Sequence, residues 1–431
     1  MKRREFLLAT AAAAVLPLRA FAAGPFELRA QKVTANILPA DTYPASHLQG
    51  FNGTVPGPEI RVRLGDTVNV RLVSDLDEGT AVHWHGVRLE NAMDGVPILT
   101  QEIVDPAASF DYQFTPKDAG TFWYHSHYLS HEQVARGLMG PFIVEENETP
   151  DVDHDIVAML ADWRFDQAGA LADDYGNMHD VAHAGRLGNY AKAFLPDVVV
   201  QKGQRIRLRL INASVDRVMP LELRGIEGKI VALDGMPLAT PRDMAGLVLA
   251  PAQRADLIAD VRDTVEILLV SNADTFALGA LAIDGQVSQR SAPIAPLPLN
   301  KVSVPDSASQ HLTLNMQGGA MARGHSGDNI WAFNDKSDLQ LAPFGTFSRG
   351  ETVRITLVNE TAFDHGIHLH GHHFYEVAED GALGDLRDTT LVQAGAKRDI
   401  LCVFDNPGRW MLHCHMLSHS VGGMKTWVQV N

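Results

Sequence analysis

The residues in this sequence that could do chemistry are histidines in pairs. His-x-His occurs five times, at His83/His85, His125/His127, His368/His370, His370/His372 and His413/His415. With 19 His in 431 residues, chance would give about one such pair, so the pattern carries information. Two residues apart on a strand, side chains leave the same face about 6–7 Å from one another. Imidazoles at that spacing suit one metal ion or two neighbouring ones. The string from His413 to Met424 adds other donor types: Cys414 offers a thiolate, His419 an imidazole and Met424 a thioether. A second imidazole would complete a His₂Cys site with a weak axial Met, an arrangement that selects copper. His365, just upstream of the His368 pair, is the candidate. A tetrahedral zinc site is the alternative, but it leaves the remaining pairs unexplained. If Cys414 faces one side of its strand, His413 and His415 face the other. One metal site would then be joined to a second by covalent neighbours.

Strands must position these donors. Three segments, Gly65–Val73, Gly203–Asn212 and Gly350–Asn359, share a glycine-led alternation of apolar and polar residues. Period-two alternation reads as a half-buried strand. The glycines stand 138 and 147 residues apart, one domain length, which predicts three related β-domains rather than a short-period solenoid. Further strands are expected at Ile156–Leu160, Val265–Val270, His311–Leu314 and Thr426–Val430. The 36 Gly and 22 Pro supply frequent turns, as Greek-key sandwiches require. Linkers are expected near Glu146–Asp153 and Ala292–Pro305. The stretch Asp166–Tyr190 reads as a solvated loop or short helix, with a transient cation or substrate contact as the sharper alternative.

Composition narrows the function further. The formal net charge of −16 excludes the basic face that nucleic-acid binding needs. Two cysteines, Cys402 and Cys414, exclude a disulfide framework. At the start, Lys2, Arg3 and Arg4 precede an apolar run from Phe6 to Leu18, and Ala20-Phe21-Ala22 forms a cleavage site. Residues 1–22 thus read as an export signal. The string Arg3-Arg4-Glu5-Phe6-Leu7 is of twin-arginine type, with a plain secretory signal as the alternative. A periplasmic protein without stable membrane insertion is expected.

Four strings, His83-Trp84-His85-Gly86, Trp123-Tyr124-His125-Ser126-His127, His365-Gly366-Ile367-His368-Leu369-His370-Gly371 and His413 to Met424, resemble the copper signatures of three-domain multicopper oxidases, bacterial laccases and periplasmic copper oxidases among them. The resemblance covers essentially the whole chain after the signal. It implies an all-β fold of three cupredoxin-like Greek-key sandwiches, here 23–148, 149–300 and 301–431, and four copper ions. Carried over residue by residue, His365, Cys414, His419 and Met424 look like the type 1 ligands, and His83 and His368 like the type 2 ligands. His85, His125 and His415 look like one type 3 set, and His127, His370 and His413 like the other. The second domain supplies no ligand and reads as a spacer. The implied reaction takes single electrons from a reductant at the type 1 site. Cys414, His413 and His415 pass them to a trinuclear site that reduces O2 to water. Asp94 aligns with the family's acid near that site and is the expected proton relay, against an Asp-Gly turn as the bland reading. Ser420 replaces the Glu that many bacterial relatives carry there, so that proton route is absent or replaced.

Substrate is read from departures. Cuprous-oxidase relatives place Asp and Met where this chain has Thr361 and Phe363, and Met316–His325 holds only Met316, Met321 and His325 as soft or borderline donors. Phe363 and an exposed edge of His419 therefore suit a phenol or aromatic amine better than Cu(I), which stays the alternative reductant. Cys402, in an apolar strand, reads as a buried inert thiol. His372 and His373 read as supporting or surface residues. His47, His131, His154 and His311 read as solvated or hydrogen-bonded, and Trp84 and Trp123 as packing. Two rivals are a non-enzymatic copper-binding or scaffold protein on the same fold, whose known relatives have lost ligands, and a copper nitrite reductase, which lacks the type 3 set.

Overall fold

The computed structural model describes residues 25–271, 274–305, 307–320 and 330–431. The export signal at 1–22, and Met321 and His325, lie outside the described residues. The three glycine-led segments take the same place three times. Gly65, Gly203 and Gly350 have φ of +96°, +92° and +84°, a left-handed turn that a Cβ would strain. They lead into the strands Val68–Ser74, Arg205–Asn212 and Glu351–Asn359. Each strand lies between a parallel partner earlier in the chain and an antiparallel partner later in it. The pairs are Phe26–Ala35 with Ser109–Phe114, His154–Trp163 with Arg254–Val270, and Gln310–Gly318 with Lys397–Phe404. The sequence repeat is therefore a repeat of sheet topology.

Around these centres the chain is all-β, with few and short helices. Residues 26–145 form two four-stranded sheets, residues 154–286 one nine-stranded sheet, and residues 310–430 a six-stranded and a five-stranded sheet. The middle region stays in one sheet because Met219–Leu233 and Arg254–Val270 run through it, bending at register shifts between Arg224 and Ile226 and between Ile230 and Ala232. The expected strand at Val265–Val270 is only the end of a 17-residue one. One hydrophobic core, from Leu28 to Val430, is shared by the first and last regions, whereas the middle region packs its own. That shared core brings the two histidine-rich regions face to face. Among the described residues no helix is long and apolar enough to cross a membrane.

Candidate metal centres

Strand register assembles the histidines. Val82–His85 pairs with Gly120–Ser126 so that His83 lies opposite His125. His365–Leu369 pairs with Gly408–Cys414 so that His368 lies opposite His413 and Ile367 opposite Cys414. Four imidazoles from each side then meet. His83, His368 and His370 form one group of ligand atoms, His83, His85 and His125 a second, and His127, His370 and His413 a third, each with its atoms within 4.8 Å of one another. His415 completes the cluster, its ring 4.9 Å from His85 and 5.2 Å from His125. Trp123 packs at 4.3 Å on His125, while Trp84 sits in the core of the first region against Phe114 and Tyr112.

The nitrogens facing the cluster centre are the chemical signature. His83 Nε2, His85 Nδ1, His125 Nε2, His368 Nε2 and both ring nitrogens of His415 are buried without a hydrogen-bond partner among the described residues. Orphaned buried polar atoms are costly, and several on one cavity suit a shared cation. Three of these rings are engaged at the opposite nitrogen: His83 Nδ1 with the Asp94 carbonyl at 2.8 Å, His125 Nδ1 with Ser126 O at 2.9 Å, and His368 Nδ1 with Asp388 O at 2.9 Å. Burial first, then crowding by neighbouring imidazoles, holds His85, His125, His127, His370, His413 and His415 well below the usual histidine range. They are neutral, as metal ligands must be.

On the other face, Cys414 Sγ lies 3.6 Å from His365 Nδ1 and 3.8 Å from His419 Nδ1, and those two nitrogens are 3.0 Å apart. His419 donates its Nε2–H to the His183 carbonyl at 2.7 Å. His365 donates its Nε2–H to Thr361 Oγ1 at 2.8 Å, the hydroxyl proton being committed to Asn359 Oδ1. Both Nδ1 atoms therefore carry lone pairs that face each other beside sulfur. A cation between them turns that repulsion into coordination. Burial pushes the Cys414 thiol up, so a thiolate there needs a metal to stabilise it. Burial also brings His419 down to about 4. Met424 is buried and tied to the site through its carbonyl, which accepts the Cys414 N–H at 3.0 Å. The donor set fits copper at both places.

Carboxylates back the histidine cluster. Asp94 Oδ2 accepts from His370 Nδ1 at 3.0 Å, and its Oδ1 lies 3.3 Å from His83 Nδ1. Asp388, which the sequence reading missed, accepts from His85 Nε2 at 3.1 Å and from Thr389 Oγ1 at 2.8 Å. Arg254 clamps both oxygens of Asp388, at 2.9 and 2.6 Å. Burial works to raise the Asp388 carboxyl, but Arg254 and the surrounding imidazoles outweigh it and hold it well below the carboxylate range. Arg254 Nε also reaches the Thr121 carbonyl at 3.1 Å. Gly86, at φ +81°, makes room, since a Cβ there would stand 2.3 Å from Arg254 Nη2 and 2.5 Å from Asp388 Oδ2. Asp388 left no signal in the His spacing because it enters 20 residues after His368 on a different strand connection.

Two expectations need correction. The edge of His419 is not exposed: the side chain is fully buried under residues 166–190, which form a short helix, Met178–Ala182, and bring the His183 carbonyl onto Nε2. The middle region is also more than a spacer. It supplies Arg254, the His183 carbonyl and Asp216, whose carboxylate accepts from Ser418 N at 3.0 Å and Ser418 Oγ at 2.6 Å at the start of the helix that carries His419. Burial raises Asp216 to about 6. Ser420 lies with Oγ 3.5 Å from His413 Nδ1, where that nitrogen already meets Cys414 O at 2.9 Å. Cys402 is buried, its Sγ 3.7 Å from His373 O. His372 and His373 are buried supports: His372 Nε2 accepts from Asn406 N at 3.3 Å, and His373 Nε2 lies 3.5 Å from Asp388 Oδ2.

Three family models, each described as Multicopper oxidase, match residues 32–149, 155–278 and 306–431. The structure superposes on Lac15 from a marine microbial metagenome with a TM-score of 0.83 at 50% identity, covering 94% of this chain and 100% of that one. Multicopper oxidase MmcO of Mycobacterium tuberculosis is 29% identical over 87% of this chain and 82% of its own length. A copper resistance protein A homolog of Pseudomonas syringae pv. tomato is 26% identical over 88% of both chains. The chain belongs to the multicopper oxidase family, oxidoreductases of cupredoxin-like β-sandwich domains that use copper and dioxygen.

Proposed function

We propose that this oxidase draws single electrons from phenols or aromatic amines at a type 1 site of His365, Cys414, His419 and Met424. Dioxygen is reduced to water at a trinuclear site with type 2 ligands His83 and His368 and type 3 sets His85/His125/His415 and His127/His370/His413. Four copper ions supply the one-electron steps and the binding of dioxygen. The chain supplies position, connection and protons. His413 and His415 flank Cys414 on the opposite strand face, so the route between sites is a few covalent bonds. Asp94 holds His370 and His83, and its Oδ1 has no hydrogen-bond partner among the described residues, which suits it to pass protons toward the cluster. The observation that carries the reading is a buried donor set on each face of one His-Cys-His string, with unpaired imidazole nitrogens on the cluster side.

The three sandwiches are assigned to 23–148, 149–300 and 301–431, with the trinuclear site where the first and third meet. Residues 1–22 would direct twin-arginine export to a periplasm. Cu(I) is the second reading. The likeness to a copper resistance protein A homolog favours it, and the cover over His419 favours a donor that needs no contact with that ring. Oxygen uptake by the copper-loaded protein with 2,6-dimethoxyphenol and with Cu(I), side by side, tests the proposal. A blue protein that consumes one O2 per four electrons without accumulating peroxide is expected, faster with the phenol. A colourless protein at full copper occupancy, or stoichiometric peroxide, would overturn it.

A further inference from the structure

The cover over the type 1 site is anchored as part of the fold. Asp174 and Asp180 each lie 2.6 Å from Arg164, and Asp174 also lies 2.8 Å from Arg186. The guanidinium groups of Arg136 and Arg186 both lie 4.4 Å from the Tyr175 ring centroid. Arg186 N–H donates to Asp216 at 2.7 Å, the same carboxylate that holds Ser418. Trp331 donates its Nε1–H to Val181 O at 2.6 Å while its ring lies 4.4 Å from His419 and 5.1 Å from His365. Neither type 1 imidazole offers a free Nε2 to a reductant, since one meets Thr361 and the other the His183 carbonyl. Direct hydrogen bonding of a phenol to His419 would require the cover to be displaced.

The outer side of the same cover carries the alternative. The rings of His179 and His183 stack at 4.1 Å with 15° between planes, and Phe363 stands edge-on to His183 at 5.8 Å. His183 Nδ1–H is fixed on the His179 carbonyl at 2.7 Å, which sets the ring's orientation. His179 is exposed and His183 half-buried. A rigid, partly exposed aromatic plate thus sits on the residue whose carbonyl touches the type 1 ligand.

Resting on the oxidase reading above, we propose that the aromatic reductant docks by stacking on His179 and His183. Its electron enters through the His183 peptide and the hydrogen bond to His419 Nε2, without contact between substrate and His419. Each phenol gives one electron to the type 1 site and its hydroxyl proton to water, leaving a phenoxyl radical; four such steps reduce one O2. The middle domain, through residues 166–190, is then the element that selects the donor.

The test is steady-state kinetics of the copper-loaded enzyme with 2,6-dimethoxyphenol and with hexacyanoferrate(II), which has no ring to stack. His179→Ala, His183→Ala and the double variant should raise KM for the phenol relative to that for hexacyanoferrate(II) by about 2- to 10-fold for each ring removed. The blue band and the copper EPR should not move, His179→Phe should restore the stack and the KM, and His311→Ala, at the opposite end of the strand Gln310–Gly318 from Trp331, should behave as wild type. An unchanged phenol KM in the double variant would overturn the proposal, as would an equal rise with both donors or a phenol seated against His419 in a co-crystal structure. Failure to consume oxygen with either donor would contradict the oxidase reading itself, an outcome distinct from a lost docking site.

Discussion

In the proposed assignment the two faces of the His413-Cys414-His415 string hold metal with different donors, imidazoles alone on one side and imidazoles with sulfur on the other, and support it differently. On the trinuclear side, two of the ring nitrogens turned away from the centre meet carboxylates, His370 with Asp94 and His85 with Asp388, and others meet backbone carbonyls. On the type 1 side they meet a hydroxyl and a carbonyl, Thr361 and His183. An anionic partner raises the donor strength of an imidazole and offsets cation charge. It is also a place for protons. A site that gathers several cations and takes up protons needs both. A site that passes one electron at a time needs a fixed geometry and little change in surrounding charge, and neutral hydrogen bonds supply that.

Variants can break the comparison from either side. Cys414→Ser should have the largest effect: loss of the blue absorption and of donor oxidation, with the type 2 EPR signal retained. Loss of both signals together would show that the faces are not separable. Arg254→Met probes the other side. It leaves Asp388 buried without its clamp, a loss of about 3–5 kcal/mol for a broken buried pair, read as a lowered Tm. Oxygen uptake and cluster copper affinity should fall about 10- to 100-fold while the blue band persists; a weakened blue band would contradict the assignment of Arg254 to the trinuclear side.

A smaller effect sharpens what the two faces share. His419 is held at about 4 by burial, below an unfolded value of about 6.5. Between these values the unfolded chain binds more protons, so stability of the metal-free protein rises with pH. His419 alone contributes about 3 kcal/mol above pH ~6.5, lost as pH falls toward 4. His370 and His413, also held low, act in the same direction. Urea unfolding of the metal-free chain from pH 4 to 7.5 should show a steep gain through that window, and a flat profile would mean the imidazoles are not buried neutral.

The histidine pairs were legible in the sequence because strand periodicity turns spacing into direction. The glycine-led repeat was legible for the same reason, with a left-handed turn at each start. Asp388 and Arg254 were not, because they reach the cluster from separate parts of the chain, 303 residues from His85 in the first case and 134 residues from each other. The cover over His419 was not legible either. Residues 166–190 have no strong periodicity, and their closeness to His419 depends on a contact 236 residues long. Local pattern found the ligands, while the residues that support and cover them are products of docking three sandwiches.

Two copper sites of different kind, joined through one string, should be separable by their magnetic signatures. EPR of the fully copper-loaded protein, with spins integrated against total copper, tests it most directly. Two distinct signals are expected, one with the narrow hyperfine splitting of a copper–thiolate site and one ordinary, together integrating to half of the bound copper, since a coupled type 3 pair would be silent. A single signal that integrates to all of the copper would contradict it.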